Sequence, residues 1–209
     1  MKLVTKDKLH YWGQSLIHPF DAFFEIRFRN HGSLLIATLL LIVYAVLNCI
    51  KFQYTGFPMN MNNVDEMDAL SLFISVVSVV ALFTVSNWTV TTLFNGKGKM
   101  KDIFIVVCYS LTVLIIGDVV VTFASNFVTT EEVMILTSVQ MLCYVYFAFL
   151  VVAGLTTVHE YGFGGSIMSI IMSVVAAAII LFIGILVFTM LERMISFFSS
   201  VAEELMRRM

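Results

Sequence analysis

Asp118 is the one carboxylate well inside an apolar stretch of this sequence, and Thr122 and Asn126 follow it at i+4 and i+8, on one face of a helix. An aspartate at the centre of a bilayer costs about 2.5 to 3.5 kcal/mol even on the milder insertion scale, so something must offset it. Counted from the lysine-rich start of its block, Asp118 lies about 22 Å along a helix, toward the far leaflet. The expected arrangement is a carboxylate near that interface, hydrogen-bonded to neighbouring helices. The competing arrangement is an ion or proton site, which a single acid with no basic partner inside the apolar blocks serves poorly.

Other polar groups fall into rows. Ser71, Ser75, Ser78, Ser86 and Thr89 share a stripe, and Gly165, Ser169, Ser173 and Ala177 make a small-xxx-small row. Such rows let helix backbones approach closely where hydrophobicity gives no drive to associate, so packing accounts for them; a polar permeation path is the alternative. The run Asn95-Gly96-Lys97-Gly98-Lys99-Met100-Lys101 lacks the Ser or Thr that follows the lysine of a phosphate loop, and no strand precedes it. It reads as a basic turn meeting anionic headgroups, with Trp88 as an interfacial anchor. His159 and Glu160 are adjacent and so point to different faces, and no HExxH, G-x-S-x-G or Cys–His pattern occurs. Cys49, Cys108 and Cys143 each sit in apolar surroundings and read as small buried hydrophobes. The expectation is no enzyme, no cofactor and no metal, and the absence of a basic domain argues against nucleic acid.

The elements that must carry these residues follow from composition. Of 209 residues, 60% are hydrophobic and 12% charged, against roughly 25% charged in a soluble domain. The apolar residues come in blocks of about twenty, the length that crosses hydrocarbon. These blocks cover residues 33–50, where Lys51 marks the end, then 69–93, 103–123, 133–158 and 166–190. The fold class expected is an all-α membrane protein with five transmembrane helices. The start lacks the pattern of a cleaved signal, so the first block is expected to remain as an anchor.

Charge placement orients the spans. Lys2, Lys6, Lys8, Arg27 and Arg29 precede the first, and Lys97, Lys99 and Lys101 lie between the second and third, so both flanks are expected in the cytoplasm. The connections holding Asp65, Glu66 and Asp68, and Glu131 and Glu132, then lie outside. Five spans put the C-terminus outside too, against the preference of Arg193, Arg207 and Arg208.

Two flanking helices are expected to be amphipathic. After Pro19, Phe20, Phe23, Phe24 and Phe28 share one face and Asp21, Glu25 and Arg29 another, so this helix should lie in the headgroup region. At the far end Leu191, Met194, Ile195, Phe198, Val201, Ala202 and Leu205 recur at helical spacing, as a continuation of the fifth span. The division expected is therefore an interfacial N-terminal segment at 1–32, a five-helix domain at 33–190 and an amphipathic helix at 191–209. Thr91-Thr92-Leu93 leading to Gly96 and Gly98 is echoed by Thr156-Thr157-Val158 leading to Gly162 and Gly164, which suggests duplication of a helix pair, with chance as the competitor.

Three places carry a resemblance: His18-Pro19-Phe20-Asp21-Ala22-Phe23-Phe24-Glu25-Ile26-Arg27 leading to Gly32-Ser33; Asn87-Trp88 through Thr91-Thr92-Leu93 to Gly96-Lys97-Gly98-Lys99 and Tyr109; and Thr157-Val158-His159-Glu160-Tyr161. In these the chain resembles the Yip family, multispanning membrane proteins that in eukaryotes interact with Rab-type GTPases. The resemblance implies a five-helix domain with a cytoplasmic N-terminus. Its first motif begins near residue 19, which favours a bacterial member in the plasma membrane and weakens any transfer of GTPase binding. Where many members carry a proline after the third helix's Tyr-x-Leu, this chain has Val113, so the kink it would impose is not expected.

The function expected is a non-enzymatic membrane protein that organises lipid, itself or a partner such as a transporter assembly through its cytoplasmic face. Phe20, Asp21, Phe24, Arg27, Lys97, Lys99, Lys101 and His159 are the candidate interface residues. The alternative is a small transporter, channel or lipid-handling protein that uses Asp118, Thr122, Asn126 and the serine stripe.

Overall fold

A computed structural model describes residues 6–94 and 96–208; Lys2 and Asn95, named above, lie outside them. Two short helices, α1 (Lys6–Ile17) and α2 (Pro19–Phe28), precede five long ones: α3 (Leu34–Tyr54), α4 (Ala69–Leu93), α5 (Met100–Ala124), α6 (Val133–His159) and α7 (Phe163–Arg208). A single 3-10 turn, Val64–Glu66, interrupts the connection between α3 and α4. No strand occurs among the described residues, and all five long helices are long and apolar enough to cross a membrane. The chain is an all-α, multi-pass membrane protein.

Local chemistry sets several helix ends. The Asp68 carboxylate accepts from Leu70 N and Ser71 N and so caps the start of α4. At its other end Gly96 N donates to Thr91 O at 2.7 Å. Asp102 sits in the first turn of α5, where a negative charge favours the helix dipole. α6 stops at Glu160, which takes a left-handed conformation with φ of 57°. α7 has no such stop and runs for 46 residues, roughly 70 Å. It therefore passes through the expected boundary at 190 and becomes the C-terminal amphipathic segment without a break.

One boundary is corrected. Lys51 does not end α3 but lies inside it, a turn before Tyr54. Its ammonium is tied to Asp118, so the helix can continue past it.

α5 is the central helix. Ile103, Ile105, Val106, Cys108 and Tyr109 are fully buried in it, packed between α3, α4 and α6. α7 leans on α4 and α6 only through its first turns, and from residue 178 onward its described side chains are exposed. α1 is tied to α5 by the Trp12 indole N–H, which donates to Thr112 Oγ1 at 2.9 Å.

α2 departs from expectation. Its phenylalanines do not share one face: Phe23 is fully buried with Ala22 and Ile26, while Phe20, Phe24 and Phe28 remain exposed. The buried set docks on α5 and α6, where a Cβ at Gly154 would collide with Val106 and touch Phe23 at 3.1 Å. A glycine on α6 is what lets the three helices approach.

Candidate functional site

Beyond the first turn of α5, at the Lys97 end of the bundle, charged groups from three connections interlock. Arg27 Nη1 on α2 donates to Asp102 Oδ2 on α5 at 3.0 Å, and Arg27 Nη2 donates to the Lys97 carbonyl. The two ionic side chains retain only 13% and 7% exposure. Lys97 Nζ in turn pairs with Glu160 Oε2 at 2.5 Å, and this pair is far more exposed. An exposed pair of this kind contributes about 0–1 kcal/mol, so its use here is to hold the turn at Glu160 against the α4–α5 connection.

Beneath these charges His159 is buried. Its Nε2 faces Asn87 Oδ1 at 3.0 Å, which requires the proton on Nε2, and Asn87 Nδ2 donates to Ser173 Oγ at 2.9 Å and more weakly to Ser169 Oγ at 3.3 Å. α6, α4 and α7 are thus joined by one polar chain, the arrangement that supports helix association in lipid. The imidazole stacks on Tyr161 with ring centroids 5.5 Å apart, and the Tyr161 hydroxyl donates to Phe94 O at 2.9 Å. Gly98 packs closely against the ring, since a Cβ there would sit 2.5 Å from His159 Cε1. That contact explains the second glycine of the basic turn better than anion binding does.

The expected interface residues therefore separate. Arg27, Lys97 and His159 come together. Lys99 and Lys101 are exposed beside them and make no ion pair among the described residues. Phe20 and Asp21 line a small pocket with Tyr146 and Phe149, and Phe24 packs against Phe28 with the rings tilted and their centroids 4.5 Å apart.

A second polar cluster lies near the other end. Lys51 Nζ and Gln140 Nε2 both donate to Asp118 Oδ1, at 2.9 and 2.7 Å. This corrects the expectation that Asp118 has no basic partner: a lysine from α3 and an amide from α6 meet it, and Asp118 is fully buried. Thr122 lies one turn along, with its Oγ1 unpartnered. Asn126 belongs to a different job. α5 ends at Ala124, and Asn126 Nδ2 donates to Tyr54 O and Thr122 O, tying off two helix ends. The serine stripe of α4 does not face one path either, because Ser71, Ser75, Ser78 and Thr89 are exposed and Ser86 is buried.

The model of the Yip1 domain matches residues 13–186, which takes in both clusters and all of the helices except the ends of α1 and α7. The chain belongs to the Yip1 family. Neither a curated protein nor a solved structure matches it.

Within this Yip1 domain, the three segments that carried the sequence resemblance supply Arg27, then Asn87 and Lys97, then His159 and Glu160. They are separated by scores of residues and meet at one end of the bundle. Sequence reasoning passed over Asp102 and Gln140, and it met Asn87 only within the resemblance and Lys51 only as the end of a span. Asn87 and Gln140 carried a usable signal, as amides within otherwise apolar blocks. Asp102 and Lys51 carried almost none, since each stands at the edge of a block where a charge is ordinary. Among the described residues no group of His, Cys, Asp and Glu could hold a metal ion.

Proposed function

We propose that this Yip1 domain is a non-enzymatic protein of a bacterial plasma membrane that holds another membrane protein, such as a transporter assembly, through the Lys97 end of its bundle. In this reading that end and the N-terminus face the cytoplasm, residues 1–32 form the interfacial segment, 33–190 the spanning domain and 191–209 the amphipathic tail. The observation that carries it is the convergence of three distant segments on one end, with Lys99 and Lys101 left exposed at its rim. Arg27, Lys97, His159 and Glu160 give the face its shape, and the two free lysines give it charge. Anionic lipid around the same rim would reinforce the contact. A Rab-type GTPase enters as a partner class only through the family, and nothing at this face selects for it.

Two results are expected. In a cysteine-free background, a cysteine at Lys99 will react with an impermeant maleimide only after the cells are opened, whereas one at Asn62 will react in intact cells. The reverse pattern would refute the orientation. The double substitution Lys99→Gln and Lys101→Gln removes about 1 kcal/mol of attraction per lysine, about 2 kcal/mol in all. Partner recovered from native membranes, or affinity for anionic vesicles, should then fall roughly 30-fold. Wild-type affinity should also weaken with added salt. Binding unchanged by the double substitution would remove the lysine rim from the mechanism.

A further inference from the structure

We propose that the cleft between α4 and α6 binds one lipid whose headgroup is uncharged and hydroxyl-bearing, as in a glyceride or a glycolipid. Two adjoining cavities make up this cleft. The larger, of about 560 Å³, is lined by apolar side chains that include Val79 and Phe83 of α4, Leu111 of α5 and Phe147 of α6. Its size is that of a small-molecule site, typically about 300–1,000 Å³. The smaller, of about 280 Å³, is lined by Asn48, Lys51, Thr122 and Gln140 among others. Ser75 and Val76 on α4 border both.

The change from apolar to polar happens at one level on three helices. On α3 it runs from Tyr44 to Asn48 and Lys51, on α6 from Tyr144 to Gln140, and on α5 from Leu114 to Thr122. The steps are i,i+4 and i,i+7 on α3, i,i+4 on α6 and i,i+8 on α5, so each stays on one side of its helix. The lining is therefore amphipathic along its length, as a lipid is. The mouth opens sideways. Val79 and Tyr144 line the larger cavity yet are 66% and 41% exposed, on the flank that lipid would occupy.

The polar end defines the headgroup. Thr122 Oγ1 and Gln140 Oε1 are shielded and have no hydrogen-bond partner, and Thr122 is only 8% exposed. A polar group buried without a partner is costly, so a ligand hydroxyl that draws Gln140 Oε1 or the Thr122 hydroxyl round to meet it would be favoured. Lys51 is already balanced by Asp118 at 2.9 Å. A phosphate or carboxylate head would leave that corner with an unmatched negative charge, whereas glycerol or sugar hydroxyls would not. This site does not rest on the reading of the Lys97 end.

The test uses the full chain in nanodiscs, with a diacylglycerol that carries a photoactivatable diazirine in its acyl chain, and maps adducts by peptide mass spectrometry. Adducts are expected on the cleft faces of α4, α5 and α6. Unlabelled diacylglycerol should compete about tenfold better than phosphatidylglycerol or palmitate, as a site built to bond hydroxyls would dictate. Ala148→Phe, which fills the larger cavity, and Val79→Trp, which blocks its rim, should each cut labelling about tenfold. Thr122→Val should erase the headgroup preference while labelling persists. Adducts spread evenly over outward residues such as Leu39, Ile116 and Phe182, or undiminished by both filling variants, would mean ordinary surrounding lipid and overturn the site. Equal competition by palmitate or phosphatidylglycerol would overturn the headgroup assignment.

Discussion

Lys51→Met is expected to destabilise the domain by about 3 kcal/mol, near the lower end of the range for removing one partner of a buried ion pair. The lower end applies because the Lys51 side chain keeps 29% exposure while Asp118 has none. Without the lysine, the Asp118 carboxylate retains only Gln140 Nε2 as a donor, in surroundings that cannot solvate it. Asp118→Asn should cost less. The freed Lys51 has a long stem and lies close to the end of α3, so it can extend toward the interface. Combining Lys51→Met with Asp118→Asn should restore most of the loss, because neither charge is then stranded. Thermal unfolding of the purified protein in one detergent reads all three, and the order expected is wild type and double variant above Asp118→Asn, with Lys51→Met lowest. If Lys51→Met melted with the wild type, the pair would have no structural weight.

The second large effect belongs to Arg27. Its guanidinium reaches two acceptors that lie on different elements, the Asp102 carboxylate and the Lys97 carbonyl. Arg27→Gln leaves Asp102, at 7% side-chain exposure, without its cation, a loss of about 3–5 kcal/mol. The damage should be local. α2 is clamped to the bundle by this residue and by Phe23 and Ile26, so amide hydrogen exchange across residues 19–28 should accelerate, while the middle of α5 stays protected. Arg27→Lys should recover only part of the protection, since an ammonium lacks the fixed fork that serves two acceptors at once. Partner binding at the Lys97 end should fall with α2's protection, because the same arginine positions the basic turn. Exchange in α2 unaltered by Arg27→Gln would show that apolar packing alone holds the helix.

Consider what could be read before folding. The five spans were legible because lipid imposes a length: about twenty apolar residues must cover hydrocarbon with every backbone group paired inside the helix. The run-on of α7 into its amphipathic end was legible as well, since no proline stands there and apolar residues keep recurring at helical spacing past residue 190. Asp118 announced itself by its cost.

Its partner did not, because Lys51 is 67 positions away and stands where a lysine ordinarily marks the edge of a span. A charge at a helix end satisfies either reading. Only packing α3 against α5 brings the ammonium to the carboxylate. The split of the α2 phenylalanines was hidden for a related reason. Lipid and protein core are equally apolar, so hydrophobic periodicity cannot say which face of a membrane helix meets which. Gly154 decides it by letting α2 come close enough for Phe23 to be buried.

The sequence by itself determined that this chain lives in a membrane, how many times it can cross and which flanks carry positive charge, because each of these depends on local composition alone. Tertiary structure decided which distant residues act together. It joined Arg27 to Asp102, His159 to Asn87 and Lys51 to Asp118, and it separated Asn126 from Asp118. Those pairings arise from helix faces meeting across tens of residues of chain, where geometry selects among partners that composition leaves equivalent.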